Sequence, residues 1–368
     1  SEENAAFKEF QQFMTEKNAE SAKIQKRLSN LPEESDSVEI LKEKRNSISN
    51  EVKEYWDKLI EENEDKILGV VVKAMKMPEI PEIKVPEDVE NKDSVRWFHS
   101  YNYNRQHYFD NIDFTDSRLL RTPFFKNKLE TYFTKVLIQD PDTLTHYMDV
   151  IAAKAEPNEE VFQYVIRYFF NTFQNSSIMG MDKVIVHLAD NYYLTDKVDW
   201  MEEENLKKLR EHVSKLRFNL IGNVAQDLKM ETLHEEYASL HEVDAKYTLV
   251  YFWEPDCGHC KKVTPKVYEL FQEFDNKEFE VFAVYTQTDK EEWSEYIIEH
   301  GYEDWINVWD PYNLTNFRFF YNIYSTPTMY LLDEDKKIIA KRISHETLRN
   351  ILEIELGRKN ISKEKERQ

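Results

Sequence analysis

The stretch "KYTLVYFWEPDCGHC", residues 246–260, decides the fold of the second half of the chain. Its first eight residues are a β-branched and aromatic run, typical of a strand buried on both faces. It ends in Cys257 and Cys260, which are the only two cysteines in the 368 residues. A buried strand that leads directly into a C-x-x-C sequence predicts a redox-active dithiol at the start of a helix.

The positions of the two cysteines predict different roles for them. A helix N-terminus offers unpaired N–H groups and a partial positive charge, and both stabilise a thiolate. We therefore expect Cys257, at the helix tip, to be exposed and nucleophilic. Cys260 lies one turn further on, and we expect it to be more buried and to resolve the mixed disulfide formed by Cys257. His259 is expected to stabilise the thiolate, which would make the disulfide more oxidising.

Two other interpretations of the cysteine pair are weaker. A structural zinc site needs four ligands, usually two such pairs, and the sequence has no second pair. A structural disulfide between Cys257 and Cys260 would close too small a loop to stabilise the fold much. The sequence therefore predicts neither a metal nor another cofactor.

A Thr-Pro pair forms the second part of the predicted site. Thr326 and Pro327 stand just before the late strand "TMYLL". The predicted architecture brings Pro327 against the cysteines with a cis peptide bond before it. The backbone N–H and C=O of Thr326 are then expected to pair with an extended substrate segment, as in β-strand addition.

Strands and helices alternate from about residue 221 onward. This alternation predicts an α/β sandwich, in which helices flank a sheet with an antiparallel C-terminal edge. The predicted strands begin with a hairpin and are 223–230, 235–242, 246–253, 278–286, 328–333 and 337–343. A helix over 290–301 is predicted to be capped by Thr288 and Glu291 and to stop at Gly301.

The residues before 221 predict an all-α region. Residues 1–76 are polar and almost free of Gly and Pro, which predicts a helical hairpin around Pro32. Residues 77–88, "MPEIPEIKVPED", predict an extended linker, and residues 89–220 a helical domain. The α/β domain would then cover 221–358, followed by a flexible tail at 359–368.

The composition argues against two classes of function. With 70 Asp and Glu against 49 Lys and Arg, the net charge is −21. Binding to nucleic acid or to an anionic membrane would need a basic surface. The first residues show no charged and then apolar leader, which is expected of a cytosolic protein and equally of an exported protein after processing.

Residues 221–358 resemble a thioredoxin-fold thiol–disulfide oxidoreductase of the TlpA/ResA-like branch. The resemblance rests on the C-G-H-C motif at 257–260, on Thr326-Pro327, on Trp253 before the first cysteine and on Pro265 after the second. "FWEPDCGHCKKVTP" is similar to extracytoplasmic versions from Bacteroidetes, in which a helical region precedes this domain. The resemblance implies a periplasmic enzyme, anchored as a lipoprotein if the full-length chain has a tether. It also implies supporting roles for Trp253 and Pro265.

The resemblance also implies its partners, which are protein dithiols or disulfides and an upstream electron donor or acceptor. Kin of this branch are mostly reductants, whereas the histidine in C-G-H-C favours an oxidase or isomerase. A protein whose helical region binds a partner without catalysis is the third alternative.

Two positions depart from the family pattern. Tyr251 stands where thioredoxins commonly bury an acid, and Val263 stands where ResA-like proteins often have a glutamate. Glu254 and Asp256 are the nearest carboxylates in sequence. The sequence therefore leaves the proton acceptor for Cys260 open.

Overall fold

The computed structural model describes residues 2–32 and 35–358. It divides the chain into two compact units, residues 1–168 and 169–368. The domain boundaries predicted at residues 76, 88 and 220 stay predictions, and the predicted tail at 359–368 lies outside the described residues. No helix in the described part of the chain has the length and apolar character needed to cross a bilayer.

The first unit opens with a helical hairpin. α1 (Glu2–Leu28) and α2 (Asp36–Glu62) run antiparallel, with Lys17 Nζ 2.5 Å from a carboxylate oxygen of Glu51. Two buried clusters hold the pair together, one around Phe10 and Leu59 and the other around Ile24 and Leu41. The further helices are α3 (Ile67–Met75), α4 (Lys92–His107), α5 (Pro123–Thr131), α6 (Pro141–Ala155) and α7 (Glu159–Phe173), which ends in the second unit.

A lysine is buried in the first unit. Lys128 on α5 is only 6% exposed, and its Nζ has no hydrogen-bond partner in the described part of the chain. Its nearest ring neighbours are Tyr108, with the ring centre 5.1 Å from Nζ, and Phe124 at 6.0 Å. Burial lowers the pKa of this amine from 10.5 to about 8, because the low-dielectric interior disfavours the charged form.

The second unit is built on a seven-stranded mixed sheet in the order β2-β1-β5-β4-β3-β6-β7. β3 is parallel to β4, and β4 to β5, whereas β6 is antiparallel to both β3 and β7. The strands are β1 (Lys229–Thr232), β2 (Tyr237–Ser239), β3 (Tyr247–Trp253), β4 (Phe279–Tyr285), β5 (Ile306–Trp309), β6 (Thr328–Leu332) and β7 (Ile338–Lys341).

The alternation of side chains along β3 distributes the core over two faces of the sheet. Leu249, Tyr251 and Trp253 belong to one buried cluster, and Val250 and Phe252 to another. Burial of each such side chain contributes roughly 1.5–3 kcal/mol. The helices of this unit are α8 (Asp182–Leu188), α9 (Glu203–Leu216), α10 (Cys260–Phe271), α11 (Lys290–His300), α12 (Phe317–Phe320) and α13 (His345–Glu355). A helical N-terminal region followed by a helix-flanked mixed sheet confirms the predicted fold class.

Two local predictions are wrong. The segment 223–230 is not one strand, because Val224 forms an isolated bridge with Lys337 beside β7, whereas β1 begins only at Lys229. α11 is capped by Asp289, whose side chain accepts a hydrogen bond from the Glu292 N–H, and not by the predicted Thr288 and Glu291. Asp289 directly precedes the first residue of the helix, so its carboxylate satisfies a free N–H group of the first turn.

Within the second unit a buried lysine joins the helices to the edge of the sheet. Lys341 at the end of β7 is 7% exposed. Its Nζ forms an ion pair with Asp182 at the start of α8. It also donates to Asn219, with distances of 2.6 Å to the backbone oxygen and 2.9 Å to Oδ1. The charge is therefore paired and hydrogen-bonded, as a buried charge must be.

Candidate active site

β3 carries the chain to the two cysteines. It ends at Trp253, a short turn follows, and α10 begins at Cys260. Cys257 lies in the turn and is half-buried, and Cys260 is 1% exposed. Both are free thiols, and the Cys260 N–H donates to Cys257 Sγ over 3.2 Å. The structure thus gives the two sulfurs the unequal exposure that the sequence predicted.

Partial burial acts to raise the pKa of Cys257. Hydrogen bonds from the Cys260 thiol, the Cys260 N–H, the Thr326 side chain and the His259 backbone N–H together outweigh burial and lower the pKa. Each of them favours the thiolate. The result is a sulfur that ionises more readily than an ordinary cysteine and is therefore a better nucleophile at neutral pH.

Cys260 has the opposite character. Burial, and after it the hydrogen bond with Cys257, raises the pKa of the Cys260 thiol to about 12. At neutral pH this residue therefore stays protonated and reaches solvent poorly. The two thiols differ in reactivity because of their surroundings.

Alkylation should distinguish the two thiols. We expect iodoacetamide at pH 7 to modify Cys257 at least about 100-fold faster than Cys260, because only the exposed thiolate reacts. The rate at Cys257 should rise with pH through a midpoint below that of an ordinary cysteine, since its pKa is lowered from 9.0. Mass spectrometry of quenched samples measures both rates. Equal rates in the folded protein would contradict the assignment, and equal rates in denaturant are the control.

The predicted Thr-Pro pair lies against the cysteines. The Thr326–Pro327 peptide bond is cis, as predicted, and the Thr326 carbonyl oxygen lies 3.5 Å from Cys257 Sγ. Thr326 and Pro327 are both half-buried. Pro327 immediately precedes β6, which pairs with β3. The geometry thus brings together residues that are far apart in the sequence.

A tyrosine and a threonine lie beneath the cysteines. Tyr251 is fully buried, and its hydroxyl is 2.8 Å from Thr264 Oγ1. A hydrogen bond with the Glu254 backbone acts to lower the pKa of Cys260. The Glu254 carboxylate instead accepts a 2.5 Å hydrogen bond from Thr286. Asp256 is exposed. Thr264 was missed from the sequence, although its position four residues after Cys260 on one helix face could have indicated it.

The other predicted residues are located as follows. His259 is exposed, and the group that it directs at Cys257 is its backbone N–H. Trp253 is buried, with its ring centre 6.5 Å from that of Tyr251 and the two rings nearly parallel. Pro265 lies inside α10. The roles assigned to these three residues stay predictions. In the described part of the chain no group of three or more His, Cys, Asp and Glu side chains is arranged to hold a metal ion.

A family model described as a domain of unknown function, DUF5106, matches residues 14–216, which is more than half of the chain. The chain belongs to the DUF5106 family. In this DUF5106 protein a second model, described as thioredoxin-like, matches residues 244–338. That match confirms the thioredoxin-like domain expected from the sequence, and it covers the cysteines and Thr326-Pro327.

Individual proteins resemble parts of this DUF5106 chain. The thioredoxin-like protein YneN of Bacillus subtilis is 29% identical over 113 residues, which are 31% of this chain. The match spans 65% of YneN, which is less than two thirds of its length. The crystal structure of a thioredoxin-like protein from Bacteroides caccae has a TM-score of 0.53 at 19% identity, covering 76% of this chain and 99% of its own, and so shows a similar fold. The crystal structure of a domain of a possible thiol-disulfide isomerase from Cytophaga hutchinsonii is 40% identical, with a TM-score of 0.35. The match covers 38% of this chain and 97% of that domain.

Proposed function

We propose that this DUF5106 protein is a thiol–disulfide oxidoreductase that acts as a reductase on cysteines of protein substrates. The observation that carries the proposal is the hydrogen bond from the Cys260 N–H to Cys257 Sγ, at 3.2 Å, in a site that lowers the pKa of Cys257. A thiol so placed is an activated nucleophile with a second thiol within one helical turn.

The reaction proceeds in two exchanges. The Cys257 thiolate attacks one sulfur of the substrate disulfide, a mixed disulfide forms, and the other substrate sulfur leaves as a thiolate. Cys260 then loses its proton and attacks Cys257 Sγ, which releases the second substrate thiolate and forms the Cys257–Cys260 disulfide. The substrate gains two electrons and the protein loses two. The position of Thr326 O, 3.5 Å from Sγ, supports a role of Thr326 and Pro327 in presenting the substrate backbone.

The opposite direction is the second candidate. The groups that lower the pKa of Cys257 stabilise the reduced form, and a stabilised reduced form makes the disulfide more oxidising. An isomerase or oxidase would use the same two exchanges, with the substrate dithiol as the electron donor in the oxidase.

The equilibrium reduction potential of the Cys257–Cys260 pair tests the proposal. We would equilibrate the protein in glutathione buffers and count free thiols by alkylation. A potential near or below about −250 mV supports a reductase that needs a dedicated electron donor. A potential near about −180 mV or above supports the isomerase or oxidase. A pair that does not cycle would overturn the enzyme proposal.

Two substitutions at residue 259 separate the ring of His259 from its backbone. His259→Pro removes both the ring and the N–H that acts on Cys257, whereas His259→Ala removes the ring alone. A hydrogen bond to a charged group is worth about 1.5–3 kcal/mol, which is roughly 30–60 mV for two electrons. We expect the proline variant to be harder to reduce by about that amount and the alanine variant to shift less. An equal shift in both variants would assign the effect to the ring.

The proposal extends to location and partners. We place the protein outside the cytoplasm, in the periplasm if the cell has one, because its motif resembles extracytoplasmic versions. Its partners would be protein disulfides and an upstream electron donor, and a membrane tether, if the full-length chain has one, would lie outside residues 1–368. Cell fractionation with an antibody against the chain tests this placement, and recovery in the cytoplasmic fraction would contradict it.

A further inference from the structure

A cavity of about 550 Å³ lies in the second unit, between its helices and the sheet domain. One wall comes from residues 176–182 and from α9, where His212 and Leu216 line it. The opposite wall comes from the loop before Pro327 and from the connection between β7 and α13, residues 341–344. A cavity of this volume can hold one or two side chains of another molecule.

The cavity exposes apolar surface to solvent. Ile178 and Met179, in the loop between α7 and α8, are 45% and 44% exposed, and Tyr324 on the opposite wall is 73% exposed. They come from two loops that are far apart in the sequence but line the same space. Exposed large apolar side chains that converge on one concavity are typical of a binding site.

The cavity adjoins the proposed catalytic site. Tyr324 stands two residues before Thr326, whose carbonyl oxygen lies 3.5 Å from Cys257 Sγ. The Arg342 N–H donates to the Met329 oxygen over 2.7 Å, which places the second wall beside the strand that follows Pro327. An extended chain covers about 3.3–3.6 Å per residue. A substrate held at Thr326 would therefore reach the cavity within roughly two to four residues.

The solvent-accessible charge on the cavity wall is positive. Three residues lining it carry a formal charge at neutral pH, and two of them, Asp182 and Lys341, pair with each other. The third, Arg342, is exposed. Its guanidinium carbon lies 4.2 Å from the Tyr324 ring centre, and Nη2 donates to the Asn322 oxygen over 2.6 Å. In a protein with a net charge of −21, an ordered and accessible guanidinium complements an acidic group on a partner.

We propose that this cavity is a recognition subsite for the substrate polypeptide. An apolar side chain of the substrate, a few residues from its cysteine, enters between Ile178, Met179 and Tyr324, and an acidic side chain beside it pairs with Arg342. The inference rests on the proposed function, since it assigns a substrate class to the same thiol chemistry. The wall formed by residues 176–182 and α9 belongs to the stretch matched by the DUF5106 model, so that part of the family region selects substrates for the thioredoxin-like domain.

The test is a single-turnover oxidation of the reduced protein by defined disulfides. The probes are two 11-residue peptides with a central cysteine joined to glutathione, each with leucines three residues from the cysteine on both sides. One carries glutamate next to each leucine and the other carries lysine there. The small reference oxidant, 2-hydroxyethyl disulfide, is too short to reach the cavity. In each case Cys257 and Cys260 become a disulfide and the oxidant becomes two thiols.

We expect the wild-type protein to react about 10-fold faster with the glutamate peptide than with the lysine peptide. Arg342→Glu should reverse this order, and Arg342→Gln should remove it. The double variant Ile178→Ser, Met179→Ser should slow both peptides by about 5-fold. Ile298→Ser is the matched control, because Ile298 on α11 is 65% exposed and does not line the cavity.

The reference oxidant separates failure of this inference from failure of the proposed function. If 2-hydroxyethyl disulfide oxidises the wild-type pair normally but the two peptides react equally and Arg342→Glu changes nothing, the subsite is overturned and the function stands. If Arg342→Glu slows the reference oxidant as much as the peptides, the residue acts on the cysteines and the subsite is again overturned. If the wild-type protein does not react with 2-hydroxyethyl disulfide, the proposed function falls and the inference falls with it.

Discussion

Replacing Cys260 with serine should leave Cys257 joined to its substrate in a mixed disulfide that persists. Cys257 is the half-buried sulfur with the lowered pKa, so the first exchange should remain. The buried Cys260 thiol, the proposed attacking group of the second exchange, is gone in this variant. Turnover should fall by roughly 10³-fold or more, as expected when one member of a catalytic unit is removed.

Replacing Cys257 with serine provides the comparison. This variant keeps a thiol that is 1% exposed and has a pKa raised to about 12, so it should form no adduct with a disulfide substrate. Nonreducing gels and mass spectrometry after mixing with excess peptide disulfide detect the trapped species. Each variant has a single cysteine, since the chain has only two, and any adduct is therefore assigned without ambiguity. An adduct on Cys260 and none on Cys257 would reverse the proposed roles.

Replacing Lys128 with methionine should stabilise the protein by about 2–3 kcal/mol at pH 7. A folded-state pKa of about 8 in place of 10.5 corresponds to about 3 kcal/mol of lost stability. Contact of the ammonium with the Tyr108 ring offsets part of this lost stability in the native protein. Methionine has a similar length and no charge, so it can occupy the site without the desolvation cost.

The gain from Lys128→Met should depend on pH in a defined direction. Below about pH 8 both the folded and the unfolded chain hold the lysine proton, so the cost of burying the charge is complete. Between pH 8 and 10.5 the unfolded chain keeps a proton that the folded one releases, so the stability of the native protein rises. Above pH 10.5 the lysine is neutral in both states, and the advantage of methionine should vanish.

Urea unfolding of both proteins at pH 7 and pH 10 measures this difference. Lys126→Met is the matched control, because Lys126 is exposed on the same helix, and such substitutions usually change stability by less than about 0.5 kcal/mol. A Lys128→Met protein that is less stable than wild type at pH 7, or a gain that grows with pH, would contradict the assigned cost.

The sequence predicted the parts of the site that depend on local pattern. The run from Tyr247 to Trp253 is apolar at every position but one, and it forms β3. The C-x-x-C sequence after it predicted the unequal exposure of Cys257 and Cys260. The cis bond before Pro327 was predicted from a Thr-Pro pair that stands just before a late strand. In each case the deciding residues are close together or are set by the topology.

Other features depend on contacts that no local pattern contains. Val224 leaves the predicted strand because it pairs with Lys337, more than 100 residues away in the sequence. Asp289 replaces Thr288 as the cap of α11, and both residues suit that position. The sequence of α5 alone does not predict the burial of Lys128, because a lysine in a helix usually indicates a face exposed to solvent.

The ion pair between Lys341 and Asp182 bears on how this protein can be divided. A recombinant fragment that starts at residue 221 would keep Lys341 and lose both Asp182 and Asn219, the two residues that satisfy its Nζ. In such a fragment the edge strand β7 would end in a lysine whose amine lacks its native partners. A fragment that keeps this ion pair is therefore longer than the sheet and its own helices, and it begins before α8.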